Sequence, residues 1–222
     1  MMKLRRSLAS LVAVLFGGAL LAGPVVAPAP AQAAPALGEQ SLAAVLTADG
    51  NGTFDNNWYD YDIVTQAVLA VLAAKPASNV SVLTDGSVAL TAFIPNDRAF
   101  RDLAHRITHK WPRTEEQVFN TLVQKLGVDA IESVLLYHVV PGATILAKDA
   151  LQADGATLAT ALPGASIKVQ VKGMNVPQII LRDRDYNSPN PRVNPWQTDI
   201  NEGNLQVAHG ITRVLRPLNL RG

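Results

Sequence analysis

The chain has 222 residues, no cysteine, and 19 Lys+Arg against 18 Asp+Glu, a formal charge of +1. Without thiols, disulfides, thiolate nucleophiles, Cys-rich zinc sites and lipid attachment at cysteine are all excluded. The balanced, unclustered charge leaves no basic footprint for nucleic acid or an anionic membrane surface.

In chain order, Met1 to Ala33 reads as a secretory signal peptide: Lys3, Arg5 and Arg6, an apolar stretch from Leu8 to Ala22, then the small-residue site Ala31-Gln32-Ala33. Gly17, Gly18, Gly23, Pro24, Pro28 and Pro30 interrupt this stretch before the roughly 20 residues a membrane-spanning helix needs, so no stable span is expected after cleavage. Arg5-Arg6 leaves the general and the twin-arginine export routes both open. Cleavage after Ala33 removes Lys3, Arg5 and Arg6 and no acidic group, so the mature chain carries 16 basic against 18 acidic side chains, a formal charge of −2. A single domain of the remaining length buries roughly 70% of the surface its unfolded chain exposes, enough to fold without disulfides.

Residues 34–59 form an N-terminal extension in which Ser41 to Thr47 is predicted as one short helix packing on the domain, followed by the Asp49-Gly50-Asn51-Gly52 turn cluster. Behind Asp62 as N-cap, Ile63, Val64, Ala67, Val68, Val71 and Leu72 recur at helical spacing until Pro76. Val80–Leu83 and Val88–Ile94 are expected to pair as a hairpin around Thr84-Asp85-Gly86-Ser87, the second strand buried on both faces. Pro95 ends it, and Asn96 or Asp97 caps a helix presenting Phe100, Leu103, Ala104 and Ile107 on one face. The capping box Thr114-Glu115-Glu116-Gln117 opens a helix that Gly127 stops, and another runs from Asp129 to about Leu136. Strands follow at Thr144–Ala147, Thr157–Leu162 and Ser166–Lys172, where Ile167, Val169 and Val171 alternate with polar residues, partnered by Ile179–Leu181. Residues 182–198 are a loop dense in Asp, Asn and Pro, before closing strands at Leu205–Ala208 and Ile211–Leu215. Helices and antiparallel strands are segregated, which argues an α+β fold without internal repeats.

Three segments carry a resemblance. Thr91–Phe100 and His209 with Ile211–Pro217 look like the two sequence blocks of the fasciclin (FAS1) domain family, and Tyr137-His138 ahead of Val139-Val140-Pro141-Gly142 sits where that family has its Tyr-His pair. The resemblance covers residues 60–217, leaving 218–222 as a C-terminal tail. It implies a wedge-shaped antiparallel β-sandwich with helices packed along one side, and a non-enzymatic role in cell adhesion or extracellular and cell-envelope interactions. It also implies a monomeric secreted module of bacterial type, whose partner is an extracellular or cell-surface protein or glycan. In animal matrix members the Tyr-His region and an Asp-Ile pair take part in integrin recognition. Here Leu205-Gln206 replaces the usual Asn-Gly and the spacing from Asp199-Ile200 to His209 is one residue longer, so integrin binding is not carried over. What is carried over is a candidate contact surface near Tyr137, His138, Asp199 and Ile200, beside a physical reading in which Tyr137 and His138 are satisfied core groups, Asp199 caps a turn and Ile200 reaches the core.

Three further groupings invite a chemical reading. His105 and His109 share a helix face at i, i+4, but lack the glutamate of a zinc-protease helix and lie beside Arg106 and Lys110, favouring solvated imidazoles. Asp49, Asn51, Thr53, Asp55, Asn57 and Asp60 follow the register of a calcium loop, with Phe54 where the sharp turn needs glycine and Asp60 in place of the bidentate glutamate. Asp183-Arg184-Asp185-Tyr186-Asn187 repeats that alternation in shorter form. These Asp/Asn-rich loops support the alternative of a calcium- or small-ligand-binding secreted module. No nucleophile elbow, phosphate-binding loop or dinucleotide fingerprint occurs, so neither cofactor nor catalytic residues are assigned.

Overall fold

The computed structural model describes residues 36–48 and 52–218. The segment expected as a signal peptide, Asp49-Gly50-Asn51 of the turn cluster and nearly all of the expected C-terminal tail lie outside these residues.

The first described helix, α1 (Leu42–Ala48), is short and is placed by its contacts. Leu42 and Leu46 are buried in the core, and Leu42 N–H donates to Gln206 Oε1 at 2.8 Å. Helix α2 (Asp62–Ala74) starts one residue earlier than expected: Tyr61 is the N-cap and makes no side-chain cap, while Asp62 is already helical. The capping acceptor comes from far along the chain, because Asp97 Oδ2 and Oδ1 receive the N–H groups of Asp62 (3.1 Å) and Ile63 (3.0 Å).

The expected hairpin is overturned. Asn79–Thr84 is a 3-10 helix whose Ser78 Oγ accepts Val80 N–H, and Val80 and Leu83, three apart, bury on its inner face. Strand β1 (Leu90–Pro95) is buried at every position, as its apolar run predicts. Helix α3 (Asp97–Thr108) begins at Asn96, whose Oδ1 accepts Ala99 N–H at 3.0 Å, and buries Phe100, Leu103 and Ala104. Helix α4 (Glu115–Tyr137) opens with Thr114 Oγ1 accepting Gln117 N–H, while Gln117 Oε1 reaches back to Arg113 N–H. Gly127 interrupts it with φ 77°, a left-handed conformation that glycine adopts without steric cost, which separates the two helical runs read from the sequence.

Beyond α4 come β2 (Val139–Pro141), α5 (Ala147–Ala150), β3 (Thr157–Ala159), β4 (Ser166–Lys172), β5 (Gln178–Arg182) and β6 (Gln206–Ile211). Three further expectations are corrected. Thr144–Ala147 is no strand: Thr91 and Thr144 hydroxyls hold this segment through Ala143 O and Leu205 O, and Ala147 opens α5. The strand expected over Thr157–Leu162 ends at Ala159, where Thr160 N–H turns back to Ala165 O. Ile211–Leu215 is not a separate strand, since the chain leaves the sheet after Ile211 and Leu215 N–H donates to an imidazole.

Among the described residues the strands form two sheets, ordered β2-β1-β6 and β3-β4-β5. Pairings are antiparallel except β1 with β6, which run parallel from Leu90↔Gln206 to Pro95↔Ile211. The first sheet is the middle layer. Leu90, Ala92, Ile94, Val139 and Ala208 face the helices, while Phe93, Val140 and Ile211 join Ile167, Val169, Ile179 and Leu181 of the second sheet. With period two along each strand, two buried faces require the near-continuous apolar runs seen in β1 and β6. In β4, Ile167 and Val169 point inward and Lys168 outward, the wet-faced alternation read from the sequence.

Candidate contact surface

Tyr137 and His138 end α4 at the junction between the layers. Tyr137 is fully buried and its Oη donates to Ser166 O at 2.9 Å, tying the helix to β4. Burial pushes its hydroxyl up to about 12. His138, 5% exposed, is the C-cap of α4: its Nδ1–H donates to Val134 O at 2.7 Å, and its Nε2 accepts Leu215 N–H at 2.9 Å. Those two partners select one neutral tautomer, and burial pulls the ring down to about 4. These residues therefore stitch layers together and present little surface to a partner.

Asp199 and Ile200 sit at the other end of the region. Asp199 adopts φ 55°, and its Oδ1 accepts Ala147 N–H at 2.7 Å, supplying the acceptor that Leu146 does not provide at the start of α5. Asp199 N–H donates to Nδ1 of His209, a ring 1% exposed in β6 whose Nε2–H donates to Ile145 O at 2.8 Å. Burial lowers the pKa of His209, so this second imidazole is also neutral but in the opposite tautomer. Ile200 forms a two-way bridge with Ala208, each N–H···O 2.9 Å, and packs on the helical core. The four residues are thus not gathered on one open face: Tyr137 and His138 are interior, while Asp199 and Ile200 are half-buried at the rim.

What does lie at that rim is the 183–198 loop, and it is anchored. Arg216, 5% exposed, pairs with Asp185 at 2.8 Å and donates its backbone N–H to Asp183 Oδ2 at 2.9 Å. The alternating Asp183–Asn187 run therefore receives a guanidinium in the place where its sequence suggests a metal cation. Burial raises the Asp183 carboxyl to about 6. Further along, Leu181 N–H donates to Pro191 O, Asn194 N–H to Gly210 O and Gln197 Nε2 to Tyr59 O. This frame holds out Tyr186 and Trp196, each 91% exposed.

The other sequence candidates resolve differently. His105 stacks on Trp111 with centroids 4.0 Å apart, Arg101 lies over Trp58 at 4.5 Å, and His109 is the left-handed C-cap of α3, so the two histidines do not form a metal pair. In the first Asp-rich loop Phe54 packs at a tilt against Phe119, centroids 5.8 Å apart, as a core-facing side chain rather than a turn residue. Asp55 and Asp60 instead approach Glu115 of α4, a partner far along the chain that no local register reveals. The role of Asp97 as the cap of α2 is hidden from the sequence for the same reason. Its carboxyl is raised by burial and by neighbouring Asp60, although the Ile63 N–H opposes the shift.

The fasciclin domain model matches residues 65–217. No curated protein matches the sequence. A solved FAS1 domain pair from the insect cell adhesion molecule fasciclin I is similar at 15% identity and a TM-score of 0.44, over 69% of this chain and 43% of that one. Proteins of this family are generally non-catalytic adhesion modules, typically extracellular, and among the described residues no helix is long and apolar enough to cross a membrane. With the family match extending over more than half its length, the chain belongs to the fasciclin (FAS1) domain family.

Proposed function

We propose that this FAS1 domain is exported by a bacterial cell, cleaved after Ala33, and acts as a monomeric adhesion module at the envelope or beyond it. Its contact surface is the 183–198 loop with the adjoining Asp199 and Ile200, and its partner is a cell-surface protein or glycan. The observation that carries this reading is the pairing of rigidity with exposure: Tyr186 and Trp196 stand almost fully in solvent on a loop fastened by Arg216, Asn194 and Gln197. Aromatic side chains presented this way give large contact area with few torsions to freeze, which is where binding energy concentrates. Tyr137, His138 and His209 support that surface from inside by fixing the strand and helix ends beneath it.

The test measures binding of the fluorescently labelled domain to the surface of the producing cells. The double variant Tyr186→Ala, Trp196→Ala is expected to lose binding by roughly tenfold or more, the cost of removing a hot-spot aromatic, with an unchanged melting temperature. Undiminished binding by that variant refutes the assignment of the surface.

A further inference from the structure

Residues 52–61 run beneath the start of α4, and they bring acidic side chains from distant parts of the chain together. Asp55, Asp60 and Glu115 each place one carboxylate oxygen within 4.8 Å of the others. Glu115 is completely buried. Its Oε2 accepts Asn56 N–H at 2.8 Å, but its Oε1 is shielded from solvent and has no hydrogen-bond partner. The nearby Asp97 differs, because its two oxygens accept the N–H groups of Asp62 and Ile63 and its carboxyl also hydrogen-bonds to Asp60. A buried carboxylate that keeps one oxygen without a donor, in a side chain set beside two further carboxylates, bears both a desolvation cost and like-charge repulsion. A bound cation removes both.

We propose that Asp55, Asp60 and Glu115 form a calcium site that latches the 52–61 segment to the start of α4. The donor set is all oxygen, which suits a hard cation and not zinc or copper. Ligand oxygens up to 4.8 Å apart are spanned by bonds of about 2.3–2.6 Å to calcium, whereas magnesium requires bonds near 2.0–2.1 Å and close to octahedral order. Exposed Asp55 gives the ion its entry and leaves coordination positions for water, while buried Glu115 supplies the fixed ligand. Such a site belongs to the weak class, with half-saturation at about 0.1–1 mM. It differs from the loop register seen in the sequence: Glu115 contributes the decisive oxygen, and Phe54 is turned to packing.

The experiment uses the purified full chain with calcium chloride as the probe, followed by thermal unfolding and by terbium luminescence sensitised through Trp58, which lies between Asp55 and Asp60 in the chain. Calcium at about 10 mM is expected to raise the melting temperature by roughly 3–10 °C, reversibly with chelator, because the ion binds only the folded state. Terbium emission is expected to saturate and to be displaced by calcium. Asp55→Asn, an exposed position that leaves the core untouched, abolishes both signals, as does Asp60→Asn, while the distant Asp149→Asn retains them. The proposal is overturned if no saturable effect occurs by about 10 mM calcium, well above the expected range, if Asp55→Asn responds like the parent, or if magnesium at equal concentration gives the same shift. Glu115→Gln is expected to lose the response as well, and should it fail to fold, the Asp55→Asn result decides alone.

Discussion

Acidification provides a direct probe of the layer junction through His138. In the fold its ring is neutral, pulled to about 4 by burial, whereas the unfolded chain offers an ordinary imidazole with a value of 6.5. Between those values the unfolded state holds a proton that the folded state refuses, so stability falls as pH drops. The contribution is intact above pH 6.5, declines through the interval, and loses nothing more below about pH 4. A separation of about 2.5 units at 1.36 kcal/mol each amounts to about 3 kcal/mol, a large share of the roughly 5–15 kcal/mol that holds a domain together. His209 acts in the same direction, its ring also lowered by burial. Asp183, raised to about 6, acts in the opposite one, since its folded form takes up a proton more readily than the unfolded chain. A bare stability curve therefore mixes signs, and the informative quantity is a difference. His138→Gln keeps an acceptor for Leu215 N–H and cannot titrate, so urea unfolding of parent and variant from pH 7.5 to 4 cancels the carboxylates common to both. The parent's advantage is expected to shrink by about 3 kcal/mol over that range, with the His138 ring still neutral and protonated on Nδ1 by nitrogen NMR at pH 5. Parallel curves, or a ring titrating near its ordinary value, would refute the argument.

Two further outcomes test separate parts of the frame. Arg216→Met leaves the buried Asp185 carboxylate without its cation and is expected to cost about 3–5 kcal/mol, with much of the loss recovered in the double variant with Asp185→Leu, read by chemical denaturation. Gly86 faces the backbone carbonyl of Glu39 so closely that an added Cβ overlaps it. Gly86→Ala is therefore expected to free the segment before α1, speeding amide exchange of Leu42 while leaving the β4–β5 amides protected.

Much of the architecture is legible in the sequence because the relevant signals are local. The Asn96 cap, the Thr114 cap, the Gly127 interruption and the β4 alternation each depend on residues within a few positions of one another. The structure departs from the sequence reading where short apolar stretches fit more than one period. Val80–Leu83 reads equally as strand or as one turn of 3-10 helix, while Ile211, Val214 and Leu215 are apolar because they are buried, not because 211–215 pairs as a strand. The parallel direction of β6 beside β1 is likewise hidden, since a strand buried on both faces shows no polarity in its residue pattern. For the contact surface, the physical reading of Tyr137 and His138 as satisfied core groups agrees with their burial, while the exposed Tyr186 and Trp196 lie inside a loop that reads as merely polar.

By itself the sequence determined the family, the α+β character and the positions of most helix starts, because these follow from residue order and short-range spacing. Tertiary structure alone decided what each polar group answers to: Asp97 to α2, Arg216 to Asp185, His138 to Leu215, Glu115 to Asp55 and Asp60. Burial makes such partnerships strong by removing competing water, and it joins residues whose separation along the chain carries no trace of their meeting.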